Sequence, residues 1–175
     1  MLKKIAIGIV AVVVIILGLA LAQPNSYAVS RSIVIKAPAE KIYPLISDFH
    51  QWGAWSPWEN LDPNMKRTFT GAASGAGAVY SWEGNDTVGA GRMEITGAQP
   101  PSKIDIKLDF LKPIASQNST MFALQPQGTS TQVVWTMSGP SSFMTKLMGV
   151  FVSMDKMIGP DFEKGLASMK AAAEK

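Results

Sequence analysis

Few residues in this chain could carry covalent or acid–base chemistry. His50 is the only histidine and there is no cysteine. A Ser-His-Asp triad needs a histidine held between nucleophile and carboxylate, and Asp48 and Ser56 are near His50 in sequence alone. Its neighbours Phe49 and Trp52 suit a surface or helix-end histidine better. The lack of cysteine removes disulfides, thiolate nucleophiles and Cys-ligated metals. A single histidine leaves a zinc site short of ligands. Glu59 and Asp62 come nearest to an oxygen-ligand set for calcium, but they are only two acids in a loop and are expected to be solvated. No metal or cofactor is expected.

Two glycine-rich stretches, Gly71 to Gly77 and Gly89-Ala90-Gly91, invite a phosphate reading. Both lack the P-loop lysine and the strand-to-helix setting that give such loops a mechanism. Turns, bulges or close backbone packing account for them better. The remaining polar candidates are charged residues on strands. Arg92 and Glu94 share strand parity and therefore one face; Glu83 follows Trp82 at a strand end. On an inward face they could orient a polar ligand end or act as general acid and base. On an outer face they would form a solvated pair of little worth. Asn85-Asp86-Thr87 and Asn118-Ser119-Thr120 fit the glycosylation tripeptide, a pattern too common to imply modification.

The elements that must position these residues begin with an appendage. Lys3 and Lys4 precede an uncharged run from Ile5 to Ala22. Eighteen residues of helix span about 27 Å, close to the hydrocarbon thickness of a bilayer. Ala20 and Ala22 could also end a cleavable secretory signal, but the length of the run and its Val and Ile content favour a retained anchor. In both readings the lysines stay inside and the rest of the chain crosses, so the domain is extracytoplasmic. Cleavage would make it periplasmic or secreted. Without residues 1–22 the domain holds 14 basic against 13 acidic residues, a net charge of +1. The basic residues are scattered, which is no footprint for nucleic acid.

Residues 23–28 read as a tether and 29–172 as one domain. Val29, Arg31, Ile33 and Ile35 alternate with polar neighbours as a strand. Pro38 suits a helix start, and Pro44 limits that helix to about two turns. Six further strand signals follow, near 65–71, 78–84, 88–97, 103–110, 118–126 and 129–139. In 103–110, Ile104, Ile106, Leu108 and Phe110 face in while Lys103, Asp105, Lys107 and Asp109 face out. From Ser142 the period becomes helical through Phe143, Leu147, Phe151, Met154 and Ile158, with an interruption at Gly159-Pro160 and resumption at Phe162, Leu166 and Met169. The expected fold is α+β: a curved antiparallel sheet of about seven strands gripping a long C-terminal helix, preceded by an N-terminal transmembrane helix.

The stretches RSIVIKAPAEKIYPLISDFHQWGAWSPW (31–58), GAGRMEIT (89–96) and MDKMIGPDFEKGLASMK (154–170) resemble the SRPBCC superfamily, the START/Bet v1-like helix-grip fold, in its polyketide cyclase/dehydrase-type branch. The resemblance covers nearly all of the domain. It implies an apolar cavity between sheet and long helix, taking lipids, sterols, polyketides or other apolar molecules. It carries no shared catalytic motif, so no catalytic residue is assigned. Residues placed to line such a cavity are Trp52, Trp55, Trp58, Tyr80, Trp82, Arg92, Glu94, Phe110, Phe122, Trp135, Met137, Phe151 and Met154. Five of the ten methionines lie beyond residue 143, where flexible thioethers could adapt to a ligand or fill a core.

Three functions stay open at this point. One is a membrane-anchored binding domain for an apolar small molecule or lipid. Another is a cyclase- or dehydratase-like enzyme using Glu83, Arg92 or Glu94. The last is an envelope interaction domain with a filled core. The tryptophans of QWGAWSPWEN (51–60) fit core or latch packing beside the cavity mouth, since Pro57 and Gly53 argue against a continuous helix.

Overall fold

The computed structural model describes residues Met1–Lys175. The elements run α1 (Leu2–Leu21), β1 (Ser26–Ile35), α2 (Ala39–Ser47), a 3₁₀ segment (Phe49–Ala54), β2 (Lys66–Gly71), β3 (Ala78–Glu83), β4 (Ala90–Gln99), β5 (Lys103–Lys112), β6 (Ser116–Gln127), β7 (Ser130–Pro140), α3 (Phe143–Gly149) and α4 (Met154–Ala173). All seven strands form one antiparallel sheet in the order β1-β7-β6-β5-β4-β3-β2. The fold is the expected α+β helix grip.

Alternation decides which face is buried. On β5 to β7 the inward positions Ile104, Ile106, Leu108, Phe122, Leu124, Val133, Trp135 and Met137 are buried. Their neighbours Lys107, Ser119 and Gln125 stand on the outer face and are exposed. The sheet closes its concave side over α2, the 3₁₀ segment and α4.

The helix α4 runs alongside β1 in the same direction. Asp155 meets Arg31 near its start, while Lys170 donates to the Val34 carbonyl and Lys36 N–H donates to Glu174 near its end. Twenty helical residues and ten strand residues both span roughly 30 Å, so the two elements match in length.

Several boundaries differ from expectation. β1 starts at Ser26, so residues 26–28 belong to the sheet and the tether is shorter than 23–28. The helical stripe does not break at Gly159-Pro160, which lies inside α4; it breaks between Val150 and Ser153. Ser153 is extended (φ −71°, ψ 151°) and its side chain accepts the Lys156 N–H, which starts α4 afresh. Gly159, inside α4, faces Arg31. A Cβ there would lie 2.1 Å from the guanidinium, so a larger residue would push the end of the arginine side chain aside.

Both glycine-rich stretches serve the backbone. Gly71, Gly75, Gly77 and Gly89 have positive φ, and a register shift falls between Ala90 and Gly91. Outside the domain, α1 is long and apolar enough to cross a membrane, a property it shares with signal sequences.

Candidate functional site

The concave face has a filled centre and a more open end. The centre is a continuous set of aromatic rings. Trp135 on β7 stacks on Phe162 of α4 (4.0 Å between centroids, 5° between planes) and on Phe122 of β6 (4.9 Å). Trp55 and Trp58 meet Trp135 edge-on at 5.5 and 5.8 Å. Trp52, Phe49, Tyr80 and Phe69 extend the set toward the β2 edge. Edge-to-face and offset pairs of this kind add about 0.5–1.5 kcal/mol each beyond their burial.

The tryptophan segment is part of this core. Pro44 and the end of α2 leave carbonyls without helical partners. Trp52 Nε1–H donates to the Ile46 carbonyl (3.0 Å) and Trp55 Nε1–H to the Leu45 carbonyl (2.7 Å). Two indoles therefore cap a helix while filling the space beneath the sheet. Trp58 is half-buried and joins them, meeting Phe162 at 6.2 Å.

The open end is fixed by topology. The antiparallel order brings the starts of β1, β4 and β6 together with the ends of β3, β5 and β7, and α4 begins there too. Inward positions at this end are covered only in part. Trp82 and Phe110 meet edge-on at 5.9 Å (85°), and with Tyr27, Met154 and Ile158 they are half-buried against the core. Helix α4 packs chiefly on β1, away from the β3–β5 wall that carries Trp82 and Phe110. Gly91 creates the shelf for Trp82, since a Cβ there would sit 2.3 Å from the indole ring.

Polar groups at this level are few. Tyr27 Oη donates to Asn118 Oδ1 (2.8 Å), and burial pushes the Tyr27 hydroxyl pKa up. Within the filled centre, Trp135 Nε1–H is buried with no acceptor, a cost of about 1–3 kcal/mol.

Of the residues expected to line a cavity, Trp52, Trp55, Tyr80, Phe122, Trp135 and Met137 are buried on the concave side. Trp58, Trp82, Phe110 and Met154 are half-buried against them. Three fall elsewhere. Arg92 and Glu94 lie on the outer face, paired with each other at 2.8 Å, because Met93 and Ile95 take the inward positions. Glu83, the third acid–base candidate, also points outward, to Lys112 at 3.1 Å. Phe151 is 69% exposed in the link between α3 and α4, where no helix holds it against the sheet.

A second correction concerns Glu59 and Asp62, which are 8% and 6% exposed and not solvated. Glu59 accepts from Tyr80 Oη (2.6 Å) and Arg67 Nε (2.7 Å). Burial first, then this carboxylate, drives the Tyr80 hydroxyl pKa far above its ordinary value. Asp62 accepts the backbone N–H groups of Asn64 and Asn85. Their compensation comes from Arg67 on β2, eight residues on from Glu59, and from the turn after β3. His50 stacks on Phe69 at 4.1 Å, with Nδ1 2.9 Å from Asp48, and is largely exposed. No group of three or more His, Asp or Glu side chains is placed to hold a metal ion.

Two hollows, of about 270 and about 900 Å³, lie on the outer face of the sheet, and both are lined by Thr96, Lys107, Ser119 and Ser138. Their polar walls do not suit an apolar ligand.

A family model described as "Polyketide cyclase / dehydrase and lipid transport" matches residues 27–174. No curated protein matches the sequence. Among solved structures, the chain is similar to protein CV1439 from Chromobacterium violaceum (TM-score 0.59, 14% identity, covering 87% of this chain and 99% of that one). It is similar also to the Aha1 dimer from Colwellia psychrerythraea (0.60, 20%, 85% and 96%). The major latex-like protein 151 from Panax ginseng gives 0.62 at 11% identity, covering 87% of this chain and 100% of that one. At such identities the likeness is one of fold.

Proposed function

The chain belongs to the polyketide cyclase / dehydrase and lipid transport family, and from that premise we propose that its domain binds an apolar small molecule or lipid while held at a membrane by α1. The observation that carries this reading is the Trp82–Phe110 pair, inward-facing yet only half-buried at the open end of the concave face. An apolar chain laid along that wall would cover surface that α4 leaves bare, worth about 25 cal/mol per Å². The Tyr27–Asn118 pair supplies polar groups at that end that could orient one end of such a molecule.

An acid–base enzyme built on Glu83, Arg92 and Glu94 loses ground, because all three project from the outer face. The filled aromatic centre favours an interaction domain over a deep cavity, but the half-bare wall still points to a shallow apolar site.

Native mass spectrometry of the full chain released from detergent tests the proposal. Discrete adducts of one apolar molecule per chain are expected. They should fall at least about tenfold in Phe110→Glu, because that substitution puts a charge into an apolar site. A bare chain from every membrane extract, unchanged by titration with fatty acids, sterols and phospholipids, overturns it.

A further inference from the structure

Large apolar side chains are exposed around the same open end. Leu111 (61% exposed) and Ile114 (54%) lie at and beyond the end of β5, in the connection to β6. Phe143 (50%), Met148 (43%), Phe151 (69%) and Val152 (45%) come from α3 and its link to α4. These two segments are some thirty residues apart in sequence and share one rim only because β5 and β7 both end there. Scattered exposed apolar residues are ordinary, but a ring of them at one end of a domain marks a contact surface.

The position of α1 says what that surface faces. Its C-terminal part packs against α3, and Ala20 is completely buried there. The connection is pinned: Ser141 N–H donates to the Asn25 carbonyl (2.8 Å), and Lys146 Nζ donates to Asn25 Oδ1 (2.6 Å). The rest of α1 stands away from the domain with its apolar side chains exposed. The apolar helix thus leaves from the rim that carries the exposed apolar residues.

We infer that this rim seats in the boundary between headgroups and acyl chains of the bilayer that α1 enters. The inference rests on reading α1 as a retained anchor. Aromatic, Met and Val side chains would bury about 5–10 Å deep, as in interfacial helices. Lys156 stands beside them, and its ammonium group can reach headgroup level. The Trp82–Phe110 wall opens at the same rim, so a lipid could pass from the leaflet to the wall without crossing water. The partner is the lipid surface itself.

The natural absence of cysteine allows a clean test. Single variants Ile114→Cys and Phe151→Cys, with Val34→Cys and Gln99→Cys as controls toward the other end of the strands, are spin-labelled in the full chain and reconstituted in phosphatidylcholine vesicles. Accessibility to oxygen is compared with accessibility to a water-soluble nickel chelate. The ratio should be several-fold higher at 114 and 151 than at 34 and 99, and two independent segments guard against one misfolded variant. Equal ratios at all four sites overturn the inference. So does dipolar broadening at the rim with no oxygen gradient, which would assign the surface to a second copy of the chain. A chain washed off the vesicles by alkaline carbonate removes the anchor and the inference together. The lipid adducts of the detergent-released protein are read independently of all these outcomes.

Discussion

At the scale of single residues, the informative contacts join charges far apart in sequence. Arg31 sits among apolar inward positions of β1, yet its guanidinium reaches Asp155 at 2.7 Å and Glu163 at 2.7 Å on α4. The spacing Asp155, Gly159, Glu163 puts both acids and the gap between them on one helix face. Hydrogen bonds to Asp155 and then Glu163 hold the Arg31 pKa well above its ordinary value, and the guanidinium in turn holds the Asp155 carboxyl below the usual carboxylate range. A carboxylate whose folded pKa lies below its unfolded value of about 3.9 adds stability in full above that value. The contribution is lost as pH falls toward the folded pKa. Melting curves between pH 3 and 6 should therefore show the wild type losing its advantage over Asp155→Asn below about pH 4. A constant difference across that range would refute the pairing. None of this could be read from the strand pattern: Arg31 was placed on the correct face, but its two partners lie over a hundred residues away. Glu59 was unreadable for a different reason: Arg67 and Tyr80 are nearer in sequence, but only the pairing of β2 with β3 brings both onto it.

Among the elements, regular alternation was legible and irregular packing was not. The strand β5 could be read residue by residue because each inward position is a large aliphatic or aromatic group and each outward one is charged. Gly159-Pro160 looks like a helix stop in sequence, but the helix starts afresh at the Ser153 cap and runs on through both residues. The same contrast holds at Gly165. Helix propensity alone says that alanine there gains up to about 1 kcal/mol. A Cβ would however lie 2.9 Å from the Trp135 ring and 3.1 Å from Pro57. That ring is stacked between Phe122 and Phe162 and has nowhere to go. Gly165→Ala should lose about 1–2 kcal/mol net through overpacking, a fall of roughly 2–8 °C in melting temperature. A rise would mean that the contact between α4 and the aromatic centre is looser than its geometry.

Across the whole molecule, protection should follow the sheet inward from its edges. The edge strand β2 is exposed at every position and pairs only with β3. β6 and β7 are flanked on both sides and carry the aromatic centre. Hydrogen exchange on the full chain should release β2 amides well before those of β6 and β7, as expected where few apolar contacts accompany the backbone bonds. Uniform exchange across the seven strands would contradict this gradient. The candidate site was legible only in outline. Sequence parity put Trp82 and Phe110 on the inner face, but their partial exposure depends on α4 lying over β1 and not over them. Parity sets Arg92, Glu94 and Thr96 opposite Met93 and Ile95, and that alternation is what the structure follows in turning the two charges outward. The rim was invisible from sequence, as it is assembled from two distant segments.

The connection between α1 and the sheet carries one more consequence. Only Ala22 to Asn25 separate helix from strand, and four residues extend at most about 14 Å. Asn25 is further immobilised by Ser141 and Lys146. With α1 inserted, the domain has neither the reach nor the swing to ferry cargo across an aqueous gap to another membrane. Under the proposed anchoring its working range would be a thin layer above one leaflet, searched by lateral diffusion. Any acceptor must come to that layer, so the chain would operate as a fixed handover station whose throughput is set by encounters in the membrane plane.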